Sequence, residues 1–153
     1  MLELPHCDYG NRHRSLAARR LVDGLSAAVG LLISTPACLG GPSRMIKNPL
    51  DYTLDMARTA RPYFDGRPVG QIVTADGRQA MGTTSSVLRS VVHALRGWPT
   101  AAAAALNGLT DPFGPGGASI QETAALPAAQ VAGFAQQHSK RPVGPKGEDA
   151  TRL

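Results

Sequence analysis

The stretch Ala28 to Thr35 (AVGLLIST) is a continuous apolar run closed by Pro36. A run without polar alternation is what a strand buried on both faces requires, and such strands belong to parallel sheets covered by helices. The segment after it, Ala37 to Ser43 (ACLGGPS), is rich in glycine and proline, so a loop leaves the carboxyl end of that strand. This one feature already directs the chain toward an α/β fold.

The flanking sequence repeats the pattern. Before the run, Leu16, Ala17, Leu21, Val22, Leu25 and Ala28 recur at helical spacing. After the loop, Ser43 is placed to N-cap a helix carrying Met45, Ile46, Leu50, Leu54 and Ala57, with Pro49 weakening its second turn. The Asp65-Gly66 turn leads into a second expected strand, Val69 to Ala75, which opens into Asp76-Gly77-Arg78-Gln79. Val87, Leu88, Val91, Val92 and Leu95 form the stripe of the next helix, ended by Gly97 and Pro99. Thr100 to Asn107 (TAAAAALN) favours helix by propensity, yet it occupies the next strand position of a βαβαβ alternation and is assigned as strand. A loop, Gly108 to Ser119, precedes a closing helix over Ile120 to His138, interrupted by Pro127. The expected organisation is one domain over residues 1–138 and a polar, disordered tail over 139–153.

Charge and cysteine usage narrow the classes further. The net charge of +5 is not gathered in one block: Arg12, Arg14, Arg19 and Arg20 fall at the first helix, and Lys140, Arg141, Lys146 and Arg152 in the tail. Without aromatic interleaving, this reads as a solvated helix face and a loose tail, and no nucleic-acid surface is expected. Cys7 and Cys38 support neither a disulfide framework nor a zinc site, and His6, His13, His93 and His138 lack metal-ligand spacing. No apolar run approaches the roughly 18 residues of a membrane span. A cytoplasmic protein without a membrane partner is expected.

The string Thr35-Pro36, then Gly40, then Lys47-Asn48-Pro49-Leu50-Asp51 resembles the NADPH-dependent FMN reductase family. That family shows a strand ending in Thr-Pro, then Glu-Tyr-Asn-Gly-Ser, then a helix containing Leu-Lys-Asn-Ala-Leu-Asp. Phe64-Asp65-Gly66-Arg67-Pro68-Val69 is similar to the family's lead into its next strand, and Leu88-Arg89 with Val91, Val92 and Leu95 fits the helix after it. The resemblance spans about Leu21 to Phe134. It implies a flavodoxin-like three-layer sandwich with a parallel sheet, truncated at the N-terminus: nothing before Leu16 corresponds to the family's first strand and its Ser/Thr-rich phosphate loop.

The function implied is an NAD(P)H-dependent FMN reductase, passing hydride from NADPH or NADH to flavin and on to a small-molecule acceptor such as a quinone or a metal oxyanion, in a homo-oligomer. In such an enzyme the cofactor performs the redox chemistry, so no acid/base dyad is needed and no catalytic residue is assigned. The cofactor-binding residues implied are Thr35, Pro36, Ala37, Cys38, Leu39, Gly40 and Gly41 in the first loop, and Thr74, Asp76, Gly77 and Arg78 in the second. Ala37, Cys38 and Leu39 stand where the family has Glu-Tyr-Asn, and Gly41 replaces its serine. Each position has a structural reading beside the functional one. The glycines also serve tight turns, strand-end threonines are commonly structural, Arg78 reads first as a solvated arginine, and Cys38 reads first as a small apolar filler. Lys47 and Asn48 read as ties between the helix start and neighbouring backbone. The alternative function is a non-catalytic remnant of this fold acting as a dimerisation or interaction module.

Overall fold

The computed structural model describes residues 4–11, 13–110 and 119–139. Along the chain these form α1 (Leu16–Ala27), β1 (Leu31–Cys38), β2 (Gly41–Pro42), α2 (Arg44–Asp51), β3 (Pro68–Ala75), α3 (Arg78–Ala94), β4 (Trp98–Asn107) and α4 (Ser119–Ser139). Short 3-10 turns follow α2 at Tyr52–Met56 and β4 at Gly108–Thr110. The sheet has the order β2-β1-β3-β4, with β1, β3 and β4 mutually parallel and the two-residue β2 antiparallel to β1. This is the flavodoxin-like α/β architecture expected from the sequence.

Register explains the layering. Leu31 to Pro36 pair in step with Val69 to Thr74, so Leu31 and Ile33 share a face with Val69. On that face they meet Leu88 and Val92 of α3, Leu50 of α2, Phe64 and Leu25 of α1 in one apolar cluster. The opposite face carries α4: a Cβ on Gly70 would fall 3.0 Å from Val131 Cγ2 and 3.2 Å from the Pro127 carbonyl, so only glycine lets the helix approach β3 this closely. Helices therefore cover both faces of a parallel sheet, which is why β1 and β3 read as apolar runs.

Local chemistry sets the element ends. Ser15 caps α1, its hydroxyl accepting from Ala18 N at 3.1 Å. The other end of α1 is held by Arg67, which is 1% exposed and donates to the Leu25 carbonyl at 2.5 Å and the Ser26 carbonyl at 2.9 Å. A guanidinium at a helix C-terminus satisfies orphan carbonyls and complements the macrodipole. Burial, and the neighbouring Arg61, hold its pKa below that of an ordinary arginine. Asn48 accepts from Cys7 N at 2.8 Å and donates to the Pro5 carbonyl at 2.8 Å, while Lys47 pairs with Asp51 one turn on. The two residues thus tie α2 to itself and to the N-terminal segment. Within the same contact, burial raises the Cys7 thiol pKa against the opposing pull of Arg14.

Three expectations are adjusted. The first strand begins at Leu31, because Ala28 is the C-cap of α1, and it runs past Pro36 to Cys38. Proline is tolerated there because β1 is paired only with β3 at that residue among the described residues, and an edge strand can spare a donor. Ser43 takes the N-cap position of α2, but its side chain makes no cap hydrogen bond. The alanine-rich segment is a strand, as its place in the alternation required. Pro127 sits within α4 without ending it, and the expected disorder of the tail from Lys140 lies outside the described residues.

Candidate cofactor site at the carboxyl ends of the strands

The loop after β1 is a tight hairpin. Leu39 and Gly40 both have positive φ, 52° and 82°, as the central residues of a type I′ turn require. Its base is fastened inside the protein: Thr35, 1% exposed, donates through Oγ1 to the Pro36 carbonyl at 2.9 Å and accepts from Ser43 N at 3.0 Å. The hairpin leans on the second turn of α3, where a Cβ on Gly40 would sit 3.6 Å from Thr83 Cγ2.

The neighbouring loop links β3 to α3. Gly77 is the N-cap of α3, with no side-chain cap and no acidic residue in the first turn. The first backbone N–H groups of the helix are therefore without intrahelical partners, at its positive end. A Cβ on Gly77 would meet nothing within 4 Å, so the approach to those amides is open. The loop after β4 joins from the far side, because a Cβ on Gly108 would collide with Asp76 Oδ1.

The structure brings Pro36, Ala37, Cys38, Leu39, Gly40 and Gly41 together on the hairpin, with Asp76 and Gly77 on the adjacent loop and Arg78 as the first residue of α3. Thr74 pairs with Pro36 at the strand ends and is partly exposed. Thr35 is set apart from this group, since its hydroxyl is buried and occupied in fastening the hairpin. Sequence reasoning missed the hairpin itself, although Leu39-Gly40 between two extended segments was its signal. It also missed the polar layer beneath the apolar faces, where Ser85 Oγ donates to Gln71 Oε1 at 3.2 Å between α3 and β3. A glutamine inside VGQIVTA was the visible hint.

Gly40 and Gly41 on one loop and Gly77 on the other keep side chains out of the space around these strand ends, and the amides that open α3 are without intrahelical partners. Among the described residues, the loops leaving this end of the sheet carry no Ser/Thr-rich cradle for a phosphate. No group of three or more metal-ligating side chains occurs among the described residues. Nor is any described helix long and apolar enough to cross a membrane.

Comparison with solved structures confirms the class of protein that this arrangement defines, a flavodoxin-like α/β domain. An oxidoreductase from Corynebacterium diphtheriae superposes with a TM-score of 0.65 at 21% identity, over 84% of this chain and 66% of that one. An NADH:FMN oxidoreductase (EmoB, apo form) gives a TM-score of 0.62 at 18% identity, over 88% and 65%. A flavodoxin, WrbA-like protein from Agrobacterium tumefaciens gives 0.61 at 24% identity, over 87% and 94%. The chain thus spans just under two thirds of the first two proteins. No curated protein matches it. The NADPH-dependent FMN reductase family model matches residues 1–110, and the chain belongs to that family.

Proposed function

We propose that this protein is an NAD(P)H-dependent FMN oxidoreductase that receives hydride from a nicotinamide nucleotide on flavin and passes electrons to a small-molecule acceptor. The observation that carries this reading is the family match over residues 1–110, supported by two glycine-containing loops that leave the carboxyl ends of adjacent parallel strands. The flavin supplies the hydride chemistry. The chain's own residues bind and orient it. Pro36 to Gly41, backed by Thr35, would hold it from one side and Thr74, Asp76, Gly77 and Arg78 from the other, with the first amides of α3 available as donors. Arg78 supplies a fork of donors at the rim for a nucleotide phosphate.

The domain assigned to this activity is residues 1–138, with 139–153 a tail outside it, acting in the cytoplasm as a homo-oligomer. A second reading, an interaction module without flavin, is favoured by Ala37, Cys38 and Leu39 in place of the family's Glu-Tyr-Asn. Titration of the full chain with FMN, followed by NADPH and NADH oxidation, separates the two. Saturable FMN binding and FMN-dependent oxidation are expected. Gly40→Val, which puts a β-branched side chain at a positive φ and against Thr83 in the hairpin, should abolish binding. A full chain that binds no FMN overturns the reading.

A further inference from the structure

A groove of about 460 Å³ lies at the opposite end of the sheet from the two loops. One side is the second half of α4, with Gln130, Phe134 and Gln137, and the other is the start of β3 and β4, with Pro68, Trp98 and Pro99. Positions 130, 133, 134 and 137 follow the spacing of one helix face, so they line the groove in a row. The Trp98 and Phe134 rings stand with centroids 6.2 Å apart and planes inclined by 36°, and Trp98 is 59% exposed. Among the described residues, no charged side chain lines the groove. Paired aromatic rings beside proline, with N–H donors on Trp98, Gln130 and Gln137, suit a proline-rich segment: the rings take the pyrrolidines and the donors take the carbonyls that polyproline II leaves free.

The same chain carries such a segment. Beyond Ser139 the sequence continues Lys140-Arg141-Pro142-Val143-Gly144-Pro145-Lys146. Its Pro-x-x-Pro spacing favours polyproline II, in which prolines three residues apart share one edge, about 9 Å from each other. The reach is sufficient: extended chain carries Pro142 up to about 10 Å and Pro145 up to about 20 Å from Ser139, and Gln130 lies about 14 Å back along α4. We infer that residues 141–146 seat in this groove, with Pro142 and Pro145 against Trp98 and Phe134, in place of the disorder that their polarity suggests. Tethering favours this occupant over a free partner of the same chemistry, because a short linker gives an effective concentration on the order of millimolar.

Trp98 is the single tryptophan of the chain, so its fluorescence reports on the groove. In the full chain, acrylamide quenching of Trp98 should rise about twofold in the Pro142→Ala/Pro145→Ala double variant, with emission shifted to the red, as the ring loses its cover. Gly133→Gln tests the groove itself: a Cβ on Gly133 meets nothing within 4 Å, so the added side chain enters the groove without disturbing the helix. It should raise quenching by a similar factor and speed trypsin cleavage after Lys146, read by mass, while the thermal transition holds or rises. Equal quenching in the wild type and both variants, with equal cleavage, overturns the inference. So does protection of Trp98 that grows with protein concentration, which would seat the segment of a second copy. A wild-type Trp98 signal that responds to an added peptide of residues 140–153 overturns it as well, because the groove is then vacant and open to a partner in trans.

Discussion

The first and last of the three parallel strands manage their backbones in opposite ways. In β4 the ladder slips between Val69↔Pro99 and Gln71↔Ala103, leaving a bulge over residues 100–102. Side chains reach in from both faces to satisfy it. Arg89 of α3 donates to the Ala101 carbonyl at 2.9 Å, Gln130 of α4 accepts from Ala102 N at 2.9 Å, and Thr100 donates to the Ala102 carbonyl at 2.8 Å. On β1, by contrast, β2 covers only Ala37 and Cys38. From Leu31 to Pro36 the strand pairs with β3 alone among the described residues. Alongside lies a cavity of about 350 Å³ lined by Leu21 and Leu25 of α1, Leu31 and Ile33 of β1, and Ile46 and Pro49 of α2. Leu32, which also lines it, is 47% exposed, and Val29, just before the strand, is 62% exposed. One edge is finished by its own helices, and the other has the shape and apolarity of a slot for a further strand.

The largest effect is expected at the residue that holds α1 beside the open edge. Arg67→Met removes the cap from the Leu25 and Ser26 carbonyls inside the protein, at an expected destabilisation of about 3 kcal/mol or more. Urea denaturation with unchanged m-value reads it directly, and a loss below about 1 kcal/mol would show that α1 is held by packing alone. Next, Gln130→Leu should lower stability by about 1–2 kcal/mol, because Ala102 N loses its partly buried acceptor. An unchanged stability there would mean that the β4 bulge does not depend on its tie to α4. The smallest effect is on association. If the β1 edge is open, the full chain self-associates through it, and Leu32→Lys should weaken that association about tenfold by placing a charge on the edge. Sedimentation velocity decides: a wild-type chain that stays monomeric at high concentration shows that the edge is covered.

The two loops were legible in the sequence. Glycine and proline after an apolar run located both, because these residues favour tight turns and end strands. The roles within the loops were not legible. Thr35 looked like a ligand contact from its position at a strand end, yet register turned it to the α3 side and committed its hydroxyl to Ser43. A one-residue difference in facing decides between crevice and core, and sequence does not display it. The hairpin was hidden because leucine sits where asparagine normally announces the turn.

By itself the sequence determined the alternation of helix and strand, the parallel sheet and the end of it that carries the loops. Those follow from local rules: apolar periodicity, glycine and proline punctuation, and the geometry of parallel crossovers. It also decided the alanine-rich segment, since strand order outweighs the helix propensity of a short run once neighbours supply the ladder. Tertiary structure alone decided that Arg67 would cap α1 from 41 and 42 residues away and that α3 and α4 would both tie down the bulge of β4. Each depends on groups distant in sequence meeting at fixed distances. Such contacts form only after the layers have packed, and no local pattern in the chain encodes them.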